Sequence, residues 1–91
     1  AYRKLPDTPA VQDTYGLALL RAGQPDKALG LLRTAASALP GNSEVQLHLG
    51  EALVAARQIP EARRVLKALQ GPNVPPPIAA RATELLEKIG Q

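Results

Sequence analysis

One histidine, two serines and no cysteine limit the chemistry this 91-residue chain can do. A hydroxyl nucleophile needs a base within hydrogen-bond reach and a third group to orient that base. Ser37 falls near the end of a predicted helix and Ser43 at the start of another, and neither has such partners nearby in sequence. His48 shares a predicted helix with Glu44 and Glu51. His48 with either Glu51 or Glu44 gives two side chains, which do not make a metal site, since zinc is held by three or four protein ligands. The sequence therefore offers no catalytic residue, no metal site and no call for a cofactor. Arg57, Arg63, Arg64 and Lys67 form a basic cluster. Single-stranded nucleic acid is held by cations interleaved with stacking aromatics, and only Tyr2 and Tyr15 are present. The cluster reads as a solvated helix face, with Glu61 placed three residues before Arg64 for a surface pair. Tyr15 reads as core rather than as a platform for a ligand.

The elements that position these residues follow from composition. Hydrophobic residues make up 45% of the chain and aromatics 2%, with Phe, Trp and Met absent. A core of Leu, Ala, Val and Ile suits closely packed helices better than stacked sheets. A chain of this length forms one unit, burying roughly 60–65% of its unfolded surface. The net charge of +3 favours solubility and would attract an acidic partner. No apolar run reaches the ~20 residues that span a bilayer, so direct membrane insertion is not expected. The lack of cysteine leaves the redox compartment open.

The dominant signal is self-similarity. Shifted by 34 residues, Val11-Gln12, Gly16, Ala18-Leu19, Ala22, Gln24, Ala28 and Leu32 fall on Val45-Gln46, Gly50, Ala52-Leu53, Ala56, Gln58, Ala62 and Leu66. Identity at one offset in this range marks an array of helical units. Taken in order, Leu5-Pro6 stands 34 residues before Leu39-Pro40, so residues 1–8 read as the end of a preceding unit and the chain as a piece cut from a longer array. Thr8-Pro9 signals a helix start, a capping hydroxyl followed by a proline that needs no N–H partner. Val11, Tyr15, Leu19 and Ala22 follow at helical spacing. Gly23 closes that helix and Pro25-Asp26 opens the next, whose stripe is Ala28, Leu31, Leu32, Ala35 and Leu39. Asn42 or Ser43 caps the third helix, with Ser43 and Gln46 spaced for a capping box. Val45, Leu49, Leu53 and Ala56 form its stripe. Pro60 opens the fourth helix, with Ala62, Val65, Leu66 and Leu69 facing inward, and Gly71-Pro72 ends it. Pro75-Pro76-Pro77 is a stiff connector. Beyond it, Ile78, Ala82, Leu85, Leu86 and Ile89 give one apolar face, the pattern of a terminal capping helix.

Tyr15-Gly16, Ala28, Leu32, Ala35 and Pro40, and again Leu49-Gly50, Ala62 and Leu66, resemble the tetratricopeptide repeat. That family favours Leu-Gly in its first helix, then Ala, a bulky apolar residue, Ala and Pro along the second. Gln12 and Gln46 depart from it where Trp or Leu is usual, as do Leu69 for Ala and Val74 for Pro. The resemblance implies an all-α solenoid of two helical-hairpin repeats plus a cap: residues 9–42, 43–76 and 77–91. A narrower likeness lies in Asp13-Thr14-Tyr15-Gly16-Leu17-Ala18-Leu19, Leu39-Pro40-Gly41-Asn42 and Leu47-His48-Leu49-Gly50. They are similar to the last repeats of bacterial cell-envelope proteins, including lipoproteins linked to exopolysaccharide export and PEP-CTERM sorting. It implies an exported scaffold, with the compartment open between bacterial periplasm or envelope and cytoplasm.

In this family the first helices of successive repeats line a concave groove that holds a peptide or helix. Carried over, that face comprises Asp13, Leu17, Leu20 and Arg21 from the first unit. Leu47, His48 and Glu51 come from the second, and Arg81 and Leu85 from the cap, with Val54 and Lys88 beside them. Leu17, Leu20, Leu47 and Leu85 would be the apolar anchors, His48 a partial lining. The carboxylate clamp of chaperone-binding members is absent, because its positions hold mainly Leu, Asp and Glu. The expected function is non-catalytic binding of a protein or peptide. The alternative is a structural spacer or end of a longer solenoid, with neighbouring repeats or a second copy as its only partners.

Overall fold

The computed structural model describes residues 8–90, and the expected remnant at Ala1 to Leu5 lies outside them. Five α-helices and one 3-10 turn make up the described residues, with no strand among them. They are α1 (Pro9–Arg21), α2 (Pro25–Ala38), α3 (Ser43–Ala55), α4 (Ile59–Lys67) and α5 (Pro76–Lys88). Consecutive helices pack as hairpins, α1 on α2 and α3 on α4, with α2 also on α3; α5 closes the stack against α3 and α4.

Prolines set most of the starts. Each of α1, α2, α4 and α5 has Pro in its first two positions, where no N–H partner is required. Thr8 occupies the cap position of α1, but its hydroxyl makes no capping bond there. Asn42, not Ser43, caps α3, its side chain accepting from the Val45 amide at 3.1 Å. The Ser43–Gln46 capping box does not form, because Gln46 reaches back to α2 instead. Its Nε2 donates to the Ala36 and Leu39 carbonyls at 3.0 and 3.3 Å. The Ala36 carbonyl is one of the orphans of the α2 terminus, while the Leu39 carbonyl also accepts from the Asn42 amide; both bonds stitch the two hairpins together.

The first helices of the two hairpins end in the same turn. Gln24 N–H bonds to the Leu19 carbonyl and Gly23 N–H to Leu20; one repeat later Gln58 bonds to Leu53 and Arg57 to Val54. This is the Schellman pattern, which needs a left-handed residue just past the helix. Gly23 adopts φ 80° there without steric cost, and Arg57 is held at φ 66° in the matching place. α4 is the short helix, nine residues, and runs into the 3-10 turn Ala68–Gln70.

Burial runs through the middle of the stack. Leu32, Leu53, Leu66 and Leu86 are fully buried, as are Ala28, Ala35, Ala52, Ala62 and Ala82. Each buried Leu contributes about 1.5–3 kcal/mol of transfer free energy. The small residues let the backbones close up around them. Gly16 and Gly50 are the closest approaches: a Cβ on Gly16 would sit 2.7 Å from Leu32 Cγ, and one on Gly50 2.5 Å from Leu66 Cδ2.

Two expectations about packing are corrected. Tyr15 is 52% exposed and Val11 50%, so this part of the α1 stripe faces out, while Gln12 and Gly16 are buried. The reason is that among the described residues α1 is covered mainly by α2, whereas α3 is packed by α2 and by α4. Glu61 does not pair with Arg64; it takes Arg33 of α2, with Arg33 Nη2 2.5 Å from Glu61 Oε1. Arg63 is half-buried with its Nε out of solvent and without a hydrogen-bond partner among the described residues.

Candidate functional site

The first helices of the three units, α1, α3 and α5, lie in succession, α1 touching α3 and α3 touching α5. The charged residues expected on this face find one another across those contacts. Asp13 of α1 and His48 of α3 pair, with His48 Nδ1 2.7 Å from Asp13 Oδ1 and 3.0 Å from Oδ2. An ionised carboxylate only accepts, so Nδ1 carries the hydrogen. Both side chains are mostly covered, at 13% and 15% exposure. His48 is therefore tied to Asp13 rather than placed with Glu44 or Glu51. Among the described residues no group of three or more His, Cys, Asp or Glu is arranged to hold a metal ion.

Between α3 and α5 the link is Arg81. Its Nη1 donates to Glu84 Oε1 at 2.9 Å, one turn away, and its Nε to Glu51 Oε2 at 3.2 Å. Hydrogen bonds to Glu84 and then Glu51 raise its pKa further above the ordinary arginine value, so Arg81 stays charged. As an exposed pair it adds little to stability, on the order of 0.5 kcal/mol. Its effect is to fix the guanidinium in place.

Beside these links lies an open groove of about 420 Å3. Leu20 and Arg21 come to it from α1, Glu51 and Val54 from α3, and Arg81 and Lys88 from α5. Leu85 also borders it. Leu17, Leu20 and Val54 are half-buried and present apolar surface on these helices. Leu47 and Leu85 do not serve as exposed anchors: at 8% and 3% exposure they belong to the core. α3 is flanked by α1 and α5, which leaves Leu47 covered. The apolar face of α5 is turned down onto α3 and α4, which covers Leu85. Reasoning from sequence missed the pairs themselves. Arg81–Glu84 was legible as an i,i+3 spacing, and Asp13–His48 as two residues one place apart after the 34-residue shift.

A second concavity, about 330 Å3, lies on the outward side of α1, lined by Ala10, Val11, Thr14, Tyr15 and Ala18. No helix among the described residues is long and apolar enough to cross a membrane.

A family model described as the tetratricopeptide repeat matches residues 19–89. No curated protein and no solved structure matches the chain.

Proposed function

From the premise that the chain belongs to the tetratricopeptide repeat family, repeats that generally mediate protein–protein interaction and are typically non-catalytic, we propose that it is a binding module whose α1–α3–α5 face holds a peptide or helix of a protein partner. The observation that carries this reading is the open groove to which all three first helices contribute side chains. Its apolar part is Leu20 and Val54, with Leu85 at its edge, and its orientation is set by Arg21, Glu51 and Arg81, with the Asp13–His48 pair linking α1 and α3. Apolar groups that are desolvated carry affinity, while rim charges steer and select.

A second reading, a structural unit of a longer solenoid, is supported by the outward side of α1, where Val11 and Tyr15 remain half exposed. One experiment separates the two. Leu20→Asp with Val54→Asp should abolish partner capture from the native extract while circular dichroism keeps its helical signal. Arg64→Glu with Lys67→Glu, on exposed positions of α4, should leave capture intact. Capture lost through Val11→Glu with Tyr15→Glu, and kept in the groove variant, would decide for the solenoid reading.

A further inference from the structure

We propose that the groove takes an internal acidic segment of a protein partner, one apolar side chain flanked by carboxylates, with Arg21 and Lys88 as the cations that receive it. This rests on the groove reading above and adds the chemistry of the occupant.

The inference comes from following each charge on that face to its partner. Asp13 is occupied by His48 at 2.7 Å. Glu51 is occupied by Arg81, which also holds Glu84. The carboxylates nearest the groove are thus already engaged, and Arg81 is held between two of them. Arg21 and Lys88 remain, and neither makes a hydrogen bond or ion pair among the described residues. Arg21 ends α1 and Lys88 ends α5, and these two helices do not touch each other; α3 lies between them. The two unpaired cations therefore stand on opposite walls of one groove, whose floor is the apolar surface of Leu20, Val54 and Leu85.

A complementary ligand puts an apolar group on that floor and a negative charge toward each wall. A single terminal carboxylate would satisfy one wall only, so two carboxylates on either side of an apolar residue fit better. Nucleic acid fits poorly, because the groove has no aromatic side chain for a base to stack on: Tyr15 lines the other concavity. Opposed cations around an apolar floor also disfavour a basic segment through like-charge contact.

The test is fluorescence anisotropy on the whole chain with three sets of peptides of about a dozen residues, N-acetylated and C-amidated so that no terminal charge contributes. All carry a central Leu, flanked by Asp and Glu, by Gln, or by Lys. The acidic set should bind at least ~10-fold tighter than the basic set, with the difference shrinking as salt rises toward ~0.15 M. Arg21→Gln with Lys88→Gln should remove the preference, and Arg21→Glu with Lys88→Glu should reverse it. Both positions are exposed, so the fold is preserved. Arg64→Glu with Lys67→Glu makes the same change in net charge away from the groove and should leave the preference in place. Equal binding of acidic and basic peptides, or no binding by the acidic set, overturns the inference. Loss of preference in the α4 control also overturns it, since overall charge would then be the cause. If neutral peptides bind best and Leu20→Asp with Val54→Asp abolishes that binding, the acidic occupant is wrong and the groove reading stands. If peptide binding ignores Leu20 and Val54, the groove reading fails as well.

Discussion

α1 and α3 are the same helix written twice, and they live in different surroundings. Val11, Tyr15 and Ala18 occupy the register of Val45, Leu49 and Ala52. In α3 these positions are 4%, 6% and 0% exposed, covered by α2; in α1 Val11 and Tyr15 are 50% and 52% exposed. The residue types hardly differ, so the difference teaches that burial here belongs to the stack and not to the helix. In a repeat array stability is a sum of unit terms and interface terms, and α1 lacks one interface among the described residues. Its outward side, lined by Ala10, Val11, Thr14, Tyr15 and Ala18, is the surface whose counterpart in α3 is packed against α2.

The largest expected effect tests that contrast directly. Leu49→Ala removes a buried side chain at the α2–α3 interface and should cost about 2–5 kcal/mol. Tyr15→Ala, one repeat earlier, should change stability by no more than about 0.5 kcal/mol, as for other exposed sites. Urea denaturation of both variants reads the difference. Equal losses would mean that α1 is covered in solution, and sedimentation at two concentrations would then show whether a second copy covers it.

A smaller effect is expected at the helix crossings. Gly50→Leu should cost about 1–3 kcal/mol through overpacking. A Cβ there meets Leu66, which is fully buried and has no room to swing aside. Gly16→Leu meets Leu32 at a similar distance. Among the described residues α1 has fewer packing partners than α3, so it can shift more easily, and its penalty should fall at or below the lower end of that range. Midpoints from the same urea series compare them. A neutral Gly50→Leu would show that α3 and α4 are not held as close as the backbone places them.

This pair of helices also shows how far a sequence can be read. The period, the proline starts and the glycine crossings were legible because each depends on a few residues close in the chain. Gly16 and Gly50 announce a close approach whatever lies beyond. Tyr15, Leu47 and Leu85 were misjudged because their exposure depends on how many helices flank each one, which spacing along a single helix does not encode. The partners of Glu61 were misjudged for a related reason. Arg64 is near in sequence, but Arg33, 28 residues away, is brought opposite it by the α2–α4 arrangement. The nine candidate residues lie on α1, α3 and α5, and five of them, Leu20, Arg21, Glu51, Arg81 and Leu85, border the groove; the pairing of Asp13 with His48 and of Glu51 with Arg81 emerged only from side-chain geometry. The groove's role as a binding site remains the proposal made above.

The smallest effect concerns the turn that ends both helices. Gly23 and Arg57 hold the same left-handed position, at φ 80° and 66°. For a non-glycine residue that conformation costs about 1–2 kcal/mol. Replacing it by glycine gives back part of that through the freer unfolded chain, about 0.4–1 kcal/mol. Arg57→Gly should therefore stabilise the protein by about 0.5 kcal/mol, the small difference between those two effects. Gly23→Arg should destabilise by a comparable amount, so that exchanging the two residues nearly cancels. The double variant provides the control, since the two turns are in separate hairpins and their effects should add. Arg57 is exposed and its side chain makes no hydrogen bond or ion pair among the described residues, so the fold itself shows nothing that the side chain returns for the strain. A clear loss of stability in Arg57→Gly would mean that the backbone at Arg57 is not left-handed in solution. A gain in stability joined to weaker partner capture would place Arg57 in a binding surface and show why an arginine is kept where glycine fits better.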